Sequence, residues 1–414
     1  MIEHPLRRTI VGEMHLRRWP ALTAPCTIVQ WVRLLAPAER DAELAALQAG
    51  SRDARPASDS PRHAEGVFAP GIGFAWERHS EASSFAVFAA DGSEVDLARA
   101  IAWGESLPGA TIRATRIRVE RDEGNAERRV TEAGFDRAEL VSGRITGGLR
   151  IWSDFRLQPD GYGRLVVAAA QAEPHDLSRQ LKRLQELGNY RNLALLGLPE
   201  ARSAWARLDR VEAQLRTLGE HVPDPGLTDD ALLGELSALS LEMVAISTAT
   251  NFRMSATAAY ARLVEERLAE LRAEAIPGFQ SLEEFTQRRF LPAARTCAAL
   301  SERERRLSER AGQLSSLLRT RIETRIENQN AQQIASMERS AAMQLRLQEL
   351  VEGLSVVALS YYAVGLAGYV LKGAESRWPR FEAPQALAVL VPVAVAGVWL
   401  LVHRLKRRLL KAHH

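Results

Sequence analysis

Gly353 to Leu371 reads GLSVVALSYYAVGLAGYVL and carries no charge, near the end of a chain of 414 residues. A helix needs about 20 mostly apolar residues to cross a bilayer core of roughly 30 Å. A second run, QALAVLVPVAVAGVWLLV from Gln385 to Val402, follows a short polar link. Together they predict a two-helix transmembrane hairpin, 353–371 and 385–402. A helical hairpin buried in a soluble protein is the alternative, and the basic cluster after the second run speaks against it.

That cluster sets the expected orientation. The tail, 403–414, carries Arg404, Lys406, Arg407, Arg408 and Lys411 and no acid. Basic residues are retained on the cytoplasmic side, so two crossings place both termini in the cytoplasm. Met1 to Leu16 lacks the apolar centre of a signal peptide. The expected location is the bacterial inner membrane, as a two-pass protein. Arg404, Lys406, Arg407 and Arg408 are expected to touch anionic lipid heads.

The net charge is +3 and the pI about 9.0, with much of the excess in that tail. The basic pI is therefore no sign of a nucleic-acid partner. Cys26 and Cys297 stand far apart, which suggests neither a disulfide framework nor a zinc site.

Working outward toward the N-terminus, the expected class is α+β. Residues 1–174 read as a cytoplasmic mixed α/β domain. Strands are expected at Cys26 to Leu35, Ile72 to His79, Ser84 to Ala90 and Thr111 to Val119, where β-branched or alternating residues recur. Further strands are expected on either side of a turn at Asp160-Gly161. Helices are expected over Pro37 to Gln48, Val95 to Trp103 and Ala126 to Ala133. Ser51 to Glu65, rich in Pro and Ser, reads as a loop.

Residues 175–352 read as a helical domain without strands. Breaks fall near Leu198-Pro199, at Val222 to Gly226 and at Pro277-Gly278. Ser281 and Glu284 have capping-box spacing. From Thr296 to Glu352 there is no Pro, and Leu314, Leu318, Ile322 and Ile326 form an i, i+4 stripe that resumes at Ile334, Met337, Ala341 and Leu345. This predicts a long stalk helix whose stripe serves either a bundle or a coiled coil.

Few residues suggest chemistry. On a strand, Glu77, His79 and Glu81 would share one face, with Trp76 and Arg78 on the other. Two carboxylates and an imidazole could hold a divalent cation or exchange protons; the alternative is a charged outer face or a set of salt bridges between domains. His4, Glu13 and His15 are a second candidate ligand set, against a role in capping turns. Gly143 to Gly148 lacks the Lys and Ser/Thr of a phosphate loop. In the first span Ser355, Tyr362 and Tyr369 fall seven apart and share a face, either lining a pore or bonding a neighbouring helix.

Several motifs resemble a bacterial family of membrane-anchored proteins with a domain of unknown function. They are His4-Pro5-Leu6-Arg7, Glu13-Met14-His15, Trp76-Glu77-Arg78-His79, Arg191 to Pro199 (RNLALLGLP), Arg319-Thr320-Arg321, Gln329-Asn330 and Gln344 to Tyr369. The order of domains is also similar to the CorA-type magnesium channels. That similarity implies a pentamer with Ser355, Tyr362 and Tyr369 lining the pore. Gly368-Tyr369-Val370 stands where that superfamily carries Gly-Met-Asn.

The expected function is that of a membrane-anchored homo-oligomer, scaffold or regulatory, with the bilayer as partner and no enzymatic activity. A CorA-like channel is the alternative, and a membrane-tethered enzyme using Glu77, His79 and Glu81 the third reading. No cofactor is expected apart from a divalent cation at that face.

Overall fold

The computed structural model describes residues 3–7, 10–11, 18–50, 55–56, 62–90, 94–136, 138–375 and 383–411. The chain forms two units, Met1–Ser315 and Ser316–His414.

The first unit is built on a sheet whose centre is β1, Cys26–Leu34. Ile28 and Val32 of β1 face one side, and Val29 and Trp31 face the other. Both sides are covered, so nearly the whole strand is buried, as in sheets clad on both faces. The other strands are β2 (Arg55–Pro56), β3 (His63–Ala69), β4 (Ile72–Arg78), β5 (Ala82–Ala90), β6 (Ala110–Glu120), β7 (Val141–Ile145), β8 (Leu149–Ser153), β9 (Gly163–Ala168) and β10 (Glu274–Ala275). Their order is β10-β7-β8-β9-β6-β1-β5-β4-β3-β2. The β6–β9 pair is parallel and the other pairs are antiparallel.

One face carries helices α1 (Arg40–Gly50), α2 (Glu94–Ser106) and α3 (Glu123–Glu132). Leu47 and Ala100 join Trp31, Phe74, Trp76 and Phe85 in a single apolar cluster. Ala126 of α3 packs with Trp152 and Val166 farther along the sheet. The other face carries α4, Pro174–Leu195, whose Leu177, Leu181, Leu184 and Leu187 meet Ile28, Ile117, Val119 and Leu165. Their spacing gives the apolar stripe that a sheet-covering helix needs. Behind α4 lie α5 (Gly197–His221) and α6 (Asp229–Leu271), then α7 (Leu282–Arg289). The Ser281 hydroxyl accepts from the Glu284 amide at 3.0 Å, which is the Ser half of the expected capping box.

Helix α8, Leu291–Glu375, runs without a break through both units, with Pro292 in its first turn. The last helix is α9, Ala383–Lys411. Leu300, Leu307 and Leu318 of α8 are buried, whereas Ile326, Ile334, Met337 and Leu345 are exposed.

The α+β class stands, with two corrections to its details. Strand β3 begins inside the stretch expected to be a loop, at His63. The helical half contributes a strand, β10, which pairs Glu274 with Arg144 and Ala275 with Gly143. A side chain at 143 would put its Cβ 2.9 Å from the Glu274 carbonyl, so the glycine admits this edge strand. The expected strands flank the turn at Asp160-Gly161: they are β8 and β9, which pair antiparallel. A tighter hairpin joins β7 to β8 through Gly147 and Gly148, whose φ values of 88° and 75° favour glycine. The change of texture at Pro174 marks the start of α4, within the same unit as the sheet.

Candidate functional site

Alternation along β4 sends Trp76 and Glu77 to opposite faces. The Trp76 indole donates to Glu43 of α1 at 3.0 Å, and Arg78 lies 3.3 Å from the same carboxylate. Ser83 also donates to Glu43. Glu77 turns toward α4 and lies 3.4 Å from the Lys182 ammonium. The strand ends at Arg78, so His79 and Glu81 belong to the turn that follows; the His79 amide donates to the Ala82 carbonyl at 2.7 Å.

Glu81 pairs with Arg253 of α6 at 2.9 Å. Burial and the Glu81 carboxylate raise the Tyr260 phenol above its ordinary range. Glu77 and His79 line a cavity of about 20 Å³ with His63, Lys182 and Tyr190, and Glu81 is not part of its wall. Such a volume is about one water probe sphere. The three residues expected on one face therefore serve different neighbours. Among the described residues no three His, Cys, Asp or Glu side chains gather as a metal site requires.

His4 is exposed, and its Nδ1 accepts from the Leu6 amide at 3.2 Å. Glu13 and His15 lie outside the described residues.

The sequence reading passed over a second cavity, of about 160 Å³, between β6, β9 and α4. Arg113, Arg191, Arg156 and Arg164 stand in its wall, with no Asp or Glu among the described residues that line it. Arg113 donates through Nη1 to Gln185 and Asn189 of α4 at 2.7 Å each, and to Gln30 at 3.4 Å. Arg191 is 9% exposed and lies over the stacked rings of Phe155 and Phe285, at 4.6 and 5.1 Å. Burial pushes Arg191 down to about 10; burial and the Arg191 charge push Arg113 down to about 9. The signal in sequence was faint: Arg113 is one of several arginines alternating along TIRATRIRV, and Arg191 looks like any helix-face charge.

Among the described residues three helices are long and apolar enough to cross a membrane, where the sequence alone suggests two: Asp229–Leu271, Leu282–Gly373 and Leu387–Arg404. The additional one, α6, buries Leu232, Leu236, Leu239, Met243 and Ile246 and lies along α4 and α5 in the first unit. In α8 the Ser355 hydroxyl donates to the Val351 carbonyl one turn back, at 2.8 Å, while Tyr362 and Tyr369 are exposed. Gly368 faces α9, since a Cβ there would lie 3.4 Å from Leu387. Arg404 is exposed; the side chains of Lys406, Arg407 and Arg408 lie outside the described residues.

No curated protein and no solved structure matches this chain, so the similarity to CorA-type channels finds no support. The profile of DUF3422, described as a protein of unknown function, matches residues 2–409. With nearly its whole length matched, the chain belongs to the DUF3422 family.

Proposed function

We propose that this protein is a membrane-anchored oligomer of the bacterial inner membrane that works as a scaffold or regulator rather than as an enzyme. The observation that carries the proposal is α8. One helix, Leu291–Glu375, buries Leu300 and Leu307 in the first unit and includes the whole uncharged run Gly353–Leu371. With α9 as the second crossing, both termini face the cytoplasm, and Arg404 stands at the lipid surface with the rest of the basic tail. The exposed stripe Ile326, Ile334, Met337 and Leu345 supports self-association of the stalk.

The test is fractionation followed by cysteine labelling. The protein should stay in the membrane pellet after an alkaline wash. A cysteine introduced as Gly373→Cys should react with an impermeant thiol reagent from the periplasmic side. Cys26 and Cys297 are both buried, which keeps the background low. Release by the wash, or labelling of position 373 only after the cytoplasm is opened, overturns the reading. Native mass spectrometry in mild detergent tests the oligomer, and a monomer overturns that part.

A further inference from the structure

The cavity between β6, β9 and α4 lacks a feature that buried arginines normally have. A guanidinium taken out of water is costly unless an acid or a bound anion faces it. Several other cations of this unit have such partners: Arg253 faces Glu81, Arg150 faces Glu123, and Arg303 faces Asp209 and Glu212, whereas the buried Arg33 donates to the Gly104 carbonyl and lies by the Trp31 ring. Arg191 has no ion pair or hydrogen bond among the described residues, only the faces of Phe155 and Phe285. Arg113 has three amide oxygens on Nη1 and no carboxylate. The other arginines of the wall are already engaged: Arg156 with Glu139 and Asp136, and Arg164 with the Ala133 carbonyl.

We infer that Arg113 and Arg191 form a binding site for a small tetrahedral oxyanion, a phosphate ion or the phosphoryl group of a soluble monoester, in this cavity. The wall is built for it. Gly188 lets the Arg113 guanidinium lie against α4, because a Cβ there would sit 2.7 Å from its Nη2. The aromatic faces under Arg191 shield one side of its plane and leave its N–H edge for an acceptor. The polar edge of the cavity adds Ser153, Thr115 and Asn192. Phe155 holds a φ of 51°, left-handed for a residue with a bulky side chain, and its amide donates to the Ser153 hydroxyl at 3.1 Å. Strain of this kind gathers where a wall is held in shape for a ligand. A cavity on the order of 150 Å³ admits a molecule the size of benzene, so a phosphoryl head fits. Downward shifts at both arginines agree with a site that awaits negative charge.

The experiment uses the full-length protein in mild detergent, with inorganic phosphate titrated at constant ionic strength. Calorimetry should show saturable binding, and phosphate should raise Tm while chloride does not. Methyl phosphate should bind as well if the natural ligand is a monoester; if phosphate binds and methyl phosphate does not, the ligand is the free ion, which remains within the proposal. Arg191→Leu should weaken phosphate binding at least about tenfold. Arg191→Lys keeps the charge and the fold but loses the planar fork, and should also weaken binding about tenfold. No saturable heat in the wild type, equal stabilisation by chloride, or acetate binding more tightly than phosphate overturns the inference. So does phosphate affinity that is unchanged in Arg191→Lys.

Discussion

The carboxylate of Glu43 accepts the Trp76 indole N–H at 3.0 Å, and neither side chain reaches solvent. Arg78, 14% exposed in its side chain, supplies the counter-charge at 3.3 Å. This triad ties α1 to β4 across one face of the sheet. Glu43→Ala would strip a half-desolvated guanidinium of its counter-charge, leaving it the Arg40 carbonyl at 2.7 Å, and would leave a buried indole N–H without an acceptor, a change that typically costs about 3–5 kcal/mol. Urea denaturation followed by circular dichroism should show that loss, with much of it recovered when Arg78→Met is added. A single variant as stable as the parent would mean the triad is not what holds α1.

Gly104 of α2 lies against Trp31 so closely that an added Cβ would stand 2.7 Å from the indole ring. The ring stacks on Phe85 at 5.8 Å and has little room to move. Gly104→Ala should therefore destabilise the protein by about 1–3 kcal/mol through overpacking, despite the better helix propensity of alanine. A gain in Tm would show that the indole shifts freely.

Glu123, the first residue of α3, lies 2.5 Å from Arg150 and 2.6 Å from Arg144. Partial burial pushes its carboxyl up, but the bonds from Arg150 and Arg144 outweigh that and hold it below its ordinary value of 4.5. A depressed folded-state pKa means the unfolded chain binds the proton first. Stability from Glu123 is thus fully present above pH 4.5 and is lost as pH falls through the lower folded value. The Tm gap between the wild type and Glu123→Gln should be constant from pH 7 to 5 and close below pH 4.5. A gap that persists at pH 3 would assign the effect to shape rather than charge.

Beyond Leu318 most of the apolar stripe of α8 is exposed: Ile334 is 58% and Met337 71% exposed. Ile334→Ser with Met337→Ser should leave the unfolding of the first unit unchanged and lower the subunit count seen by native mass spectrometry. An unchanged count would move the oligomer contacts elsewhere.

Local signals carried much of the fold. The β-branched run at Cys26 and the alternation at Thr111 are strands close to the expected bounds, and the Ser281 cap forms. What failed depended on distant partners. Strand β3 was hidden because His63 to Ala69 has a polar start, and only pairing with β4 makes it extended. Strand β10 has two residues, too few for any periodicity. The Glu77, His79, Glu81 face dissolved because β4 stops one residue before His79, where the turn takes over. The Arg113 and Arg191 cavity was invisible for a different reason. Its two arginines come from a strand and a helix far apart in sequence, and what marks them is the acid they lack.

The strand Glu274–Ala275 fastens to β7 from the far side of α4, α5 and α6. On the ribosome, therefore, β7 emerges long before the residues that will cover its outer edge. At roughly 5–20 residues per second the wait is on the order of 10 s. Throughout it, the N–H and C=O groups of Gly143 and Arg144 are open to any extended chain nearby. Gly143, which admits the late strand, has no side chain to block an intruding one, so the newborn sheet depends on how soon its own chain arrives.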